Sequence, residues 1–248
     1  MEVVRDEQPE WLTNSYLVYD RPGGAGFLVD ANGRTETLLE KAEAENVTIT
    51  DLFLTHEHWD HAVDAQALAA GRGMTVHAHP GAGEALDFET VPIGDGDEMT
   101  IGDLTVRAIH TPGHSDHHLA FLVEDTDLFS GDVLFAGTVG GTMLPGQTGF
   151  SELKESVMGR LMDLPPETRV HPGHSGPTTV GEEWESNPFI RVWRGLDPEG
   201  SEPCEVADLG DATLVLWGPD YDGTNKAWVR FPDDSDGIVG GSRIKRDG

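Results

Sequence analysis

The 248-residue chain has one cysteine, Cys204, and no long apolar run. A single cysteine excludes disulfide bonds within the chain and any metal cluster built from several thiolates. This composition is typical of a reducing compartment, so we expect a cytoplasmic protein. The first residues lack the basic and then apolar pattern of a secretory signal. No stretch approaches the roughly 20 apolar residues that a membrane-spanning helix needs, so we expect no membrane association.

Positive charge is also scarce, with 16 basic against 45 acidic residues and a formal net charge of −29. The acidic excess is spread along the chain, which argues against a disordered acidic tail. In dilute buffer such a charge repels nucleic acid and anionic membranes. Only four of the basic residues are lysines. This composition resembles that of proteins from halophiles that accumulate salt, where a Debye length of about 3 Å at molar salt screens self-repulsion. We therefore expect a halophilic protein that does not bind nucleic acid.

Apolar segments that predict strands alternate with segments that predict helices. This alternation, with several hairpins, predicts an α/β fold in which a mixed-sheet sandwich is covered by helices. Strands are predicted at 16–20, 26–30, 49–55, 74–80, 119–124 and 127–132, a hairpin at 99–111, and helices at 35–46, 62–73 and 151–164, the last with Ser151 as its N-cap.

A turn-rich segment at 195–203, GLDPEGSEP, predicts a domain boundary. Residues 1–195 would form the larger α/β domain. Residues 203–248 would form a small β domain, for which an SH3-like barrel is one architecture, with strands at 212–218, 226–231 and 237–245. We expect this small domain to be a structural cap or a homodimer contact; binding of a partner is the alternative.

All 11 histidines lie between His56 and His174, so imidazole chemistry is expected only in the larger domain. The stretch LTHEHWDH, 54–61, places His56, His58, Asp60 and His61 directly after a predicted buried strand. Zinc binds imidazole nitrogens and carboxylate oxygens in this way, and loops held by a rigid scaffold commonly carry function. The stretch therefore predicts a metal site.

Three more candidate ligands follow predicted strands further along the chain. They are His114 in TPGHS, Asp132 in FSGD and His174 in HPGHSG. Because each lies where a strand meets a loop, we expect all of them to converge at one edge of the sheets.

These motifs together resemble the metallo-β-lactamase superfamily over roughly residues 12–180. The pattern consists of T-H-x-H-x-D-H, a G-H histidine, an S-G-D aspartate, a P-G-H histidine and an early strand aspartate, which Asp30 fits. The resemblance implies an αββα sandwich with two divalent metal ions, most readily Zn²⁺, with iron or manganese as alternatives. It also implies the ligand assignment: His56, His58 and His114 for one ion, Asp60, His61 and His174 for the other, and Asp132 together with a bridging hydroxide for both.

Three further stretches resemble the hydroxyacylglutathione hydrolases (glyoxalase II) of that superfamily. They are Trp59 within the first motif, the segment 130–150, and ESNPFIR at 185–191. The resemblance implies hydrolysis of a small-molecule thioester, with Asp60 also orienting the attacking hydroxide. One departure is that Gly140-Gly141-Thr142-Met143 lacks the basic residue that often binds glutathione in these enzymes. The carrier thiol is therefore left open.

A mononuclear Fe(II) persulfide (sulfur) dioxygenase is the main alternative, with iron held by His56, His114 and Asp132. A nuclease is disfavoured because no basic stripe is visible, and a non-enzymatic binding module is disfavoured because the ligand set is complete. The remaining histidines are predicted to pack or to orient ligands: His77, His79, His110, His117, His118 and His171.

Overall fold

A computed structural model describes residues 1–143 and 149–246. The first sheet has six strands, which lie side by side in chain order. The first three pair antiparallel, and the third to the sixth pair parallel. The strands are β1 (Glu2–Gln8), β2 (Thr13–Tyr19), β3 (Ala25–Val29), β4 (Thr48–Phe53), β5 (Thr75–Ala78) and β6 (Val91–Pro92).

The second sheet also has six strands, in the order β14-β13-β10-β9-β8-β7. Its strands are β7 (Glu98–Ile101), β8 (Leu104–His110), β9 (Leu119–Val123), β10 (Asp127–Gly131), β13 (Arg169–Pro172) and β14 (Thr178–Thr179). A separate two-stranded hairpin follows β10 and consists of β11 (Leu134–Phe135) and β12 (Thr138–Val139). The hairpin predicted at 99–111 is present as β7 and β8. The strands predicted at 119–124 and 127–132 are present as β9 and β10, which pair antiparallel.

The two sheets face each other across a buried core. Phe27 and Phe53 of the first sheet and Phe121 and Phe129 of the second are among its fully buried side chains. The rings of Phe53 and Phe121 meet edge to face with centroids 5.3 Å apart. Side chains that alternate with these along the strands, such as Leu28, point to the opposite face and contact helices.

Helices cover both outer faces, which confirms the predicted αββα sandwich. They are α1 (Thr35–Ala44), α2 (Trp59–Ala62), α3 (Ala65–Arg72), α4 (Ala82–Ala85), α5 (Phe150–Ser156), α6 (Val180–Ser186) and α7 (Pro188–Trp193). Buried leucines of α1 and α3 pack on the first sheet, and buried apolar residues of α5 and α7 pack on the second. No helix among the described residues is long and apolar enough to cross a membrane.

Two helix predictions differ from the structure in detail. The single helix predicted at 62–73 is broken between α2 and α3, because backbone groups there bond to Ala31: its N–H donates to His61 O and its carbonyl accepts from the N–H of Asp64. Ser151 as N-cap is wrong, since α5 begins at Phe150 after Gly149 and no side chain caps it. The helix continues as a π-helical segment at Val157–Leu161.

The C-terminal region is a five-stranded antiparallel sheet in the order β18-β17-β16-β15-β19. Its strands are β15 (Glu202–Val206), β16 (Gly210–Pro219), β17 (Asn225–Arg230), β18 (Asp236–Gly240) and β19 (Ile244–Lys245). The sequence predicted three of these strands, and β15 begins inside the segment predicted as a boundary.

The C-terminal sheet packs against the second sheet's helices. Trp228 and Ile238 of this sheet join Phe150 of α5 and Phe189 of α7 in one buried cluster. The division of the chain at 195–203 stays a prediction.

Candidate metal centre

The seven residues predicted as metal ligands lie together at one edge of the sandwich. Most of them follow a strand, as predicted: His56 and His58 come after β4, Asp132 after β10 and His174 after β13. Asp60 and His61 lie in α2, and His114 lies in the loop between β8 and β9. The ends of strands from both sheets thus supply one cluster.

One group consists of His56, His58 and His114, whose ligand atoms all lie within 4.8 Å of one another. His56 Nε2 is 2.9 Å from His58 Nδ1, and His114 Nε2 is 3.0 Å from the same atom. Three imidazole nitrogens that converge in this way match the donor set of a catalytic zinc site, which keeps one position open for water.

A second group consists of Asp60, His61 and His174, again within 4.8 Å. Asp60 Oδ2 lies 3.6 Å from His61 Nε2 and 3.6 Å from His174 Nε2. This group combines two nitrogens and one carboxylate oxygen, which is also a donor set that divalent metals accept.

Asp132 connects the two groups. Its Oδ1 lies 3.3 Å from His61 Nε2, while its Oδ2 lies 3.4 Å from His114 Nε2 and 3.2 Å from His174 Nε2. A carboxylate that lies within 3.4 Å of nitrogens from both donor groups has the placement that a bridging ligand requires. The assignment of the seven residues as ligands stays a prediction.

Hydrogen bonds to the far side of four imidazoles turn their Nε2 atoms into the cluster. The Nδ1 partners are Thr55 Oγ1 for His56 (2.9 Å), Asp30 Oδ2 for His61 (2.8 Å), Gly141 O for His114 (3.1 Å) and Leu12 O for His174 (3.0 Å). His58 presents Nδ1 instead. Such outer partners fix the ring orientation and tautomer of metal-binding histidines.

Asp30, the early strand aspartate of the resemblance, is one of these outer partners. It follows β3 with a φ of +58°, which aspartate tolerates better than most residues. Its carboxylate accepts hydrogen bonds from the N–H and the hydroxyl of Thr55 at 2.8 Å each. Asp30 therefore ties the start of the first histidine motif to His61.

His118, which the sequence predicted to pack or to orient a ligand, and Thr13, which the sequence analysis missed, both support the cluster. The N–H of Asp132 donates to His118 Nε2 at 3.0 Å, so His118 Nδ1 carries the proton and donates to Thr111 Oγ1 at 2.8 Å. Burial lowers the pKa of His118, which keeps it neutral. Thr13 Oγ1 donates to Asp60 Oδ2 at 2.7 Å. A lone threonine in a strand carries no sequence signal for this contact.

The electrostatics of the cluster suit a cation. Burial lowers the pKa of His56 and lowers that of His114 to about 4, so both are neutral near pH 7, the form that binds metal. Burial also acts to lower the pKa of His61, but the carboxylates of Asp132 and Asp30 raise it well above its usual value. The surroundings of His61 Nε2 therefore stabilise positive charge.

Two buried polar atoms in the cluster have no hydrogen-bond partner among the described residues: His61 Nε2 and Asp132 Oδ1. Leaving such atoms unpaired is costly, and a metal ion bound by both would remove that cost. Gly173 keeps the space around them open, because a Cβ there would lie 2.2 Å from Asp132 Oδ1 and 2.8 Å from His61 Cε1. The residues present therefore fit divalent metal.

The other histidines lie outside the cluster. His77 bonds to Asp51 and stacks on Phe53, and His171 bonds to Asp127. The remaining three imidazoles stack on one another: His79 with His110 and with His117.

Two aromatic side chains differ in their relation to the cluster. Trp59, between His58 and Asp60 in the chain, is 60% exposed and its ring centroid lies 4.1 Å from that of Trp11. Tyr221, from the C-terminal sheet region, stacks on the ring of His174. Burial and the carboxylates of Asp132, Asp220 and Asp60 raise the pKa of Tyr221. Residues 144–148 of the segment predicted to resemble glyoxalase II at 130–150 lie outside the described residues.

Comparison with known proteins agrees with the motifs and the fold. The profile of the metallo-β-lactamase superfamily matches residues 9–174. The chain belongs to this superfamily. Among similar proteins, a hydroxyacylglutathione hydrolase of Rhodospirillum rubrum is 33% identical, over 77% of this chain and 89% of that protein.

Two solved structures are also similar to this chain. TTHA1623 in a di-iron-bound form is 34% identical, with a TM-score of 0.64 over 75% of this chain and 99% of that one. ETHE1 from Myxococcus xanthus is 29% identical, with a TM-score of 0.69 over 79% of this chain and 92% of that one. Residues 9–174, which match the superfamily profile, include all seven candidate ligands.

Proposed function

We propose that this protein is a binuclear metal-dependent hydrolase that cleaves a small-molecule hydroxyacyl thioester. The observation that carries the proposal is the presence of two donor groups joined by Asp132, whose oxygens lie 3.2–3.4 Å from nitrogens of both groups. The similarity to the hydroxyacylglutathione hydrolase of Rhodospirillum rubrum supports the thioester as the substrate class.

In this proposal His56, His58 and His114 hold one ion, and Asp60, His61 and His174 hold the other. Zn²⁺ is the expected metal because imidazole nitrogens and carboxylate oxygens are common zinc ligands in proteins. Iron or manganese are the alternatives. When bound, two divalent ions would supply a water that is acidic near neutral pH and would polarise the substrate carbonyl.

Asp60 is the residue that we assign to orienting the attacking water. The hydroxyl of Thr13 donates to its Oδ2 at 2.7 Å, which fixes the plane of the carboxylate. Its side chain keeps 26% exposure, so the carboxylate can also reach a water at the mouth of the cluster. A thiolate leaves readily at neutral pH, so no strong general acid is required.

The thiol carrier is proposed to differ from glutathione. The segment 140–143 contains no basic residue that could bind the carboxylates of glutathione. We also propose that the enzyme works in the cytoplasm at high salt, in keeping with its acidic composition.

The first test is metal analysis of the purified protein together with hydrolysis of S-lactoyl thioesters of several small thiols. We expect two ions per chain and turnover that a chelator abolishes and added metal restores. Asp132→Ala should retain less than one ion per chain and lose at least about 10³-fold in kcat, because both groups lose their shared ligand. Asp211→Ala, an exposed carboxylate of the C-terminal sheet, serves as the control.

One iron per chain, combined with oxygen uptake on a persulfide and no thioester turnover, would contradict the proposal. That result would favour the mononuclear Fe(II) dioxygenase. His56, His114 and Asp132 could hold the iron there, since His114 Nε2 and Asp132 Oδ2 are 3.4 Å apart.

A further inference from the structure

Tyr221 belongs to the turn between β16 and β17, yet its ring lies on a candidate metal ligand. Its centroid is 4.2 Å from that of His174, and the two planes are 11° apart. Phe135 borders both rings, with centroids 5.3 Å from Tyr221 and 5.8 Å from His174. The C-terminal sheet region therefore reaches the metal cluster through one side chain.

A buried lysine holds this turn in place. Lys226 of β17 is 5% exposed. Its ammonium donates a hydrogen bond to the carbonyl of Val139 at 2.9 Å and forms an ion pair with Asp220 Oδ1 at 2.9 Å. It also lies 5.2 Å from the Tyr221 ring centroid and 5.3 Å from that of Phe135. Because Asp220 neutralises its charge, Lys226 serves to fix Tyr221 rather than to attract an anion.

The side chain of Tyr221 is partly buried, and its hydroxyl forms no hydrogen bond with another of the described residues. A phenol near neutral pH is protonated and can donate one hydrogen bond. The hydroxyl oxygen lies in the plane of a ring that stacks on His174, so it is close to the cluster. A donor in this place, with no acceptor in the described part of the chain, is available to a ligand.

We propose that Tyr221 is a substrate-contacting residue, whose hydroxyl donates a hydrogen bond to the thioester and whose ring forms one wall of the acyl pocket. The C-terminal sheet region thereby completes the active site instead of serving only as a cap. This inference rests on the proposed hydrolase function, because it assigns Tyr221 to the substrate of that same site.

The deciding variant is Tyr221→Phe, which keeps the ring on His174 and removes only the hydroxyl. We expect KM to rise about tenfold, which equals about 1.4 kcal/mol and is the size of one net hydrogen bond. The value of kcat should change less than about threefold, since the contact forms already in the ground state. Metal content and thermal stability should stay those of the wild type, which a merely structural role would not predict.

Tyr19→Phe is the matched control, because Tyr19 is buried in β2 on the helix-facing side of the first sheet. It should leave KM and kcat unchanged. Tyr221→Ala, which also removes the wall, should raise KM more than Tyr221→Phe does. Wild-type KM in both Tyr221 variants of a protein that hydrolyses thioesters would overturn the inference and leave the hydrolase function standing.

A second measurement needs no turnover. The hydroxamate of lactic acid keeps the acyl group and chelates metal without being cleaved, and its affinity for the zinc-loaded protein can be measured by titration calorimetry. If the wild type hydrolyses no thioester, the affinity for the hydroxamate tests whether Tyr221 contacts the ligand. Binding about tenfold weaker in Tyr221→Phe would then support the contact although the proposed function had failed. Equal affinity in both proteins would overturn it.

Discussion

At the scale of single residues, the motif residues are predictable and their supporting contacts are not. His56, His58 and His61 stand out because several ligand types crowd into six positions after an apolar strand. Thr13 does not stand out, since a threonine in a strand is ordinary, and its bond to Asp60 spans 47 positions of the chain. His118 likewise resembles a packing residue until its bond to the Asp132 N–H is seen.

Gly173 gives a prediction at this scale. In Gly173→Ala the new Cβ would lie 2.2 Å from Asp132 Oδ1, so the carboxylate or the loop must move. We expect zinc affinity to fall roughly 10- to 100-fold, as changes next to metal ligands commonly cause. Competition with a chromophoric chelator measures it.

Gly176→Ala is the matched control in the same HPGHSG segment, because no atom lies within 4 Å of its Cβ position. It should bind zinc as the wild type does. If Gly173→Ala also kept wild-type zinc affinity, the cluster would not be the tightly fitted site described above.

At the scale of elements, the cluster forms because strands of both sheets end at the same edge. The sequence predicted this convergence from the position of each ligand after a strand, and the ends of β4, β10 and β13 are placed accordingly. It did not predict that the C-terminal sheet takes part. That contribution depends on packing of Trp228 and Ile238 against Phe150 and Phe189, and this contact joins residues about 40 to 90 positions apart.

The tie between the C-terminal sheet and β12 is expected to depend on Lys226. In Lys226→Met the Asp220 side chain, 8% exposed, loses its buried counter-charge, which should lower the free energy of unfolding by about 3–5 kcal/mol. Urea denaturation measures the loss. Adding Asp220→Asn should restore part of it, because no uncompensated carboxylate then remains buried.

Lys245→Met is the comparison, since Lys245 pairs with Glu205 at a similar distance of 2.7 Å but is 68% exposed. A solvent-exposed pair contributes about 1 kcal/mol or less. Equal stability of the Lys226→Met and Lys245→Met proteins would show that the buried pair does not hold the sheet in place.

At the scale of the whole molecule, charge is the dominant feature. Even if each of the 16 basic residues paired with a different carboxylate, 29 acidic residues would remain unpaired. Their mutual repulsion acts against the compact state and is screened by salt. This property follows from composition alone and says nothing about the fold.

Thermal stability should therefore rise with salt. Between 0.1 and 3 M KCl the Debye length falls from about 10 Å to below about 3 Å, and we expect Tm to increase by at least about 10 °C. Sucrose, which does not screen charge, is the control for a general cosolute effect, and calorimetry gives both values. A Tm that is unchanged or lower in KCl would contradict the expectation of a halophilic protein.

The sequence by itself determined the superfamily, the αββα architecture and which side chains are candidates for metal binding, because motifs and strand periodicity are local in the chain. The tertiary structure alone placed the Asp132 carboxylate next to nitrogens of both donor groups, His114 of one and His61 and His174 of the other. It also placed Tyr221 on His174, across 47 positions of the chain. Such contacts are set by how the sheets and helices pack, and short-range sequence patterns carry no information about that packing.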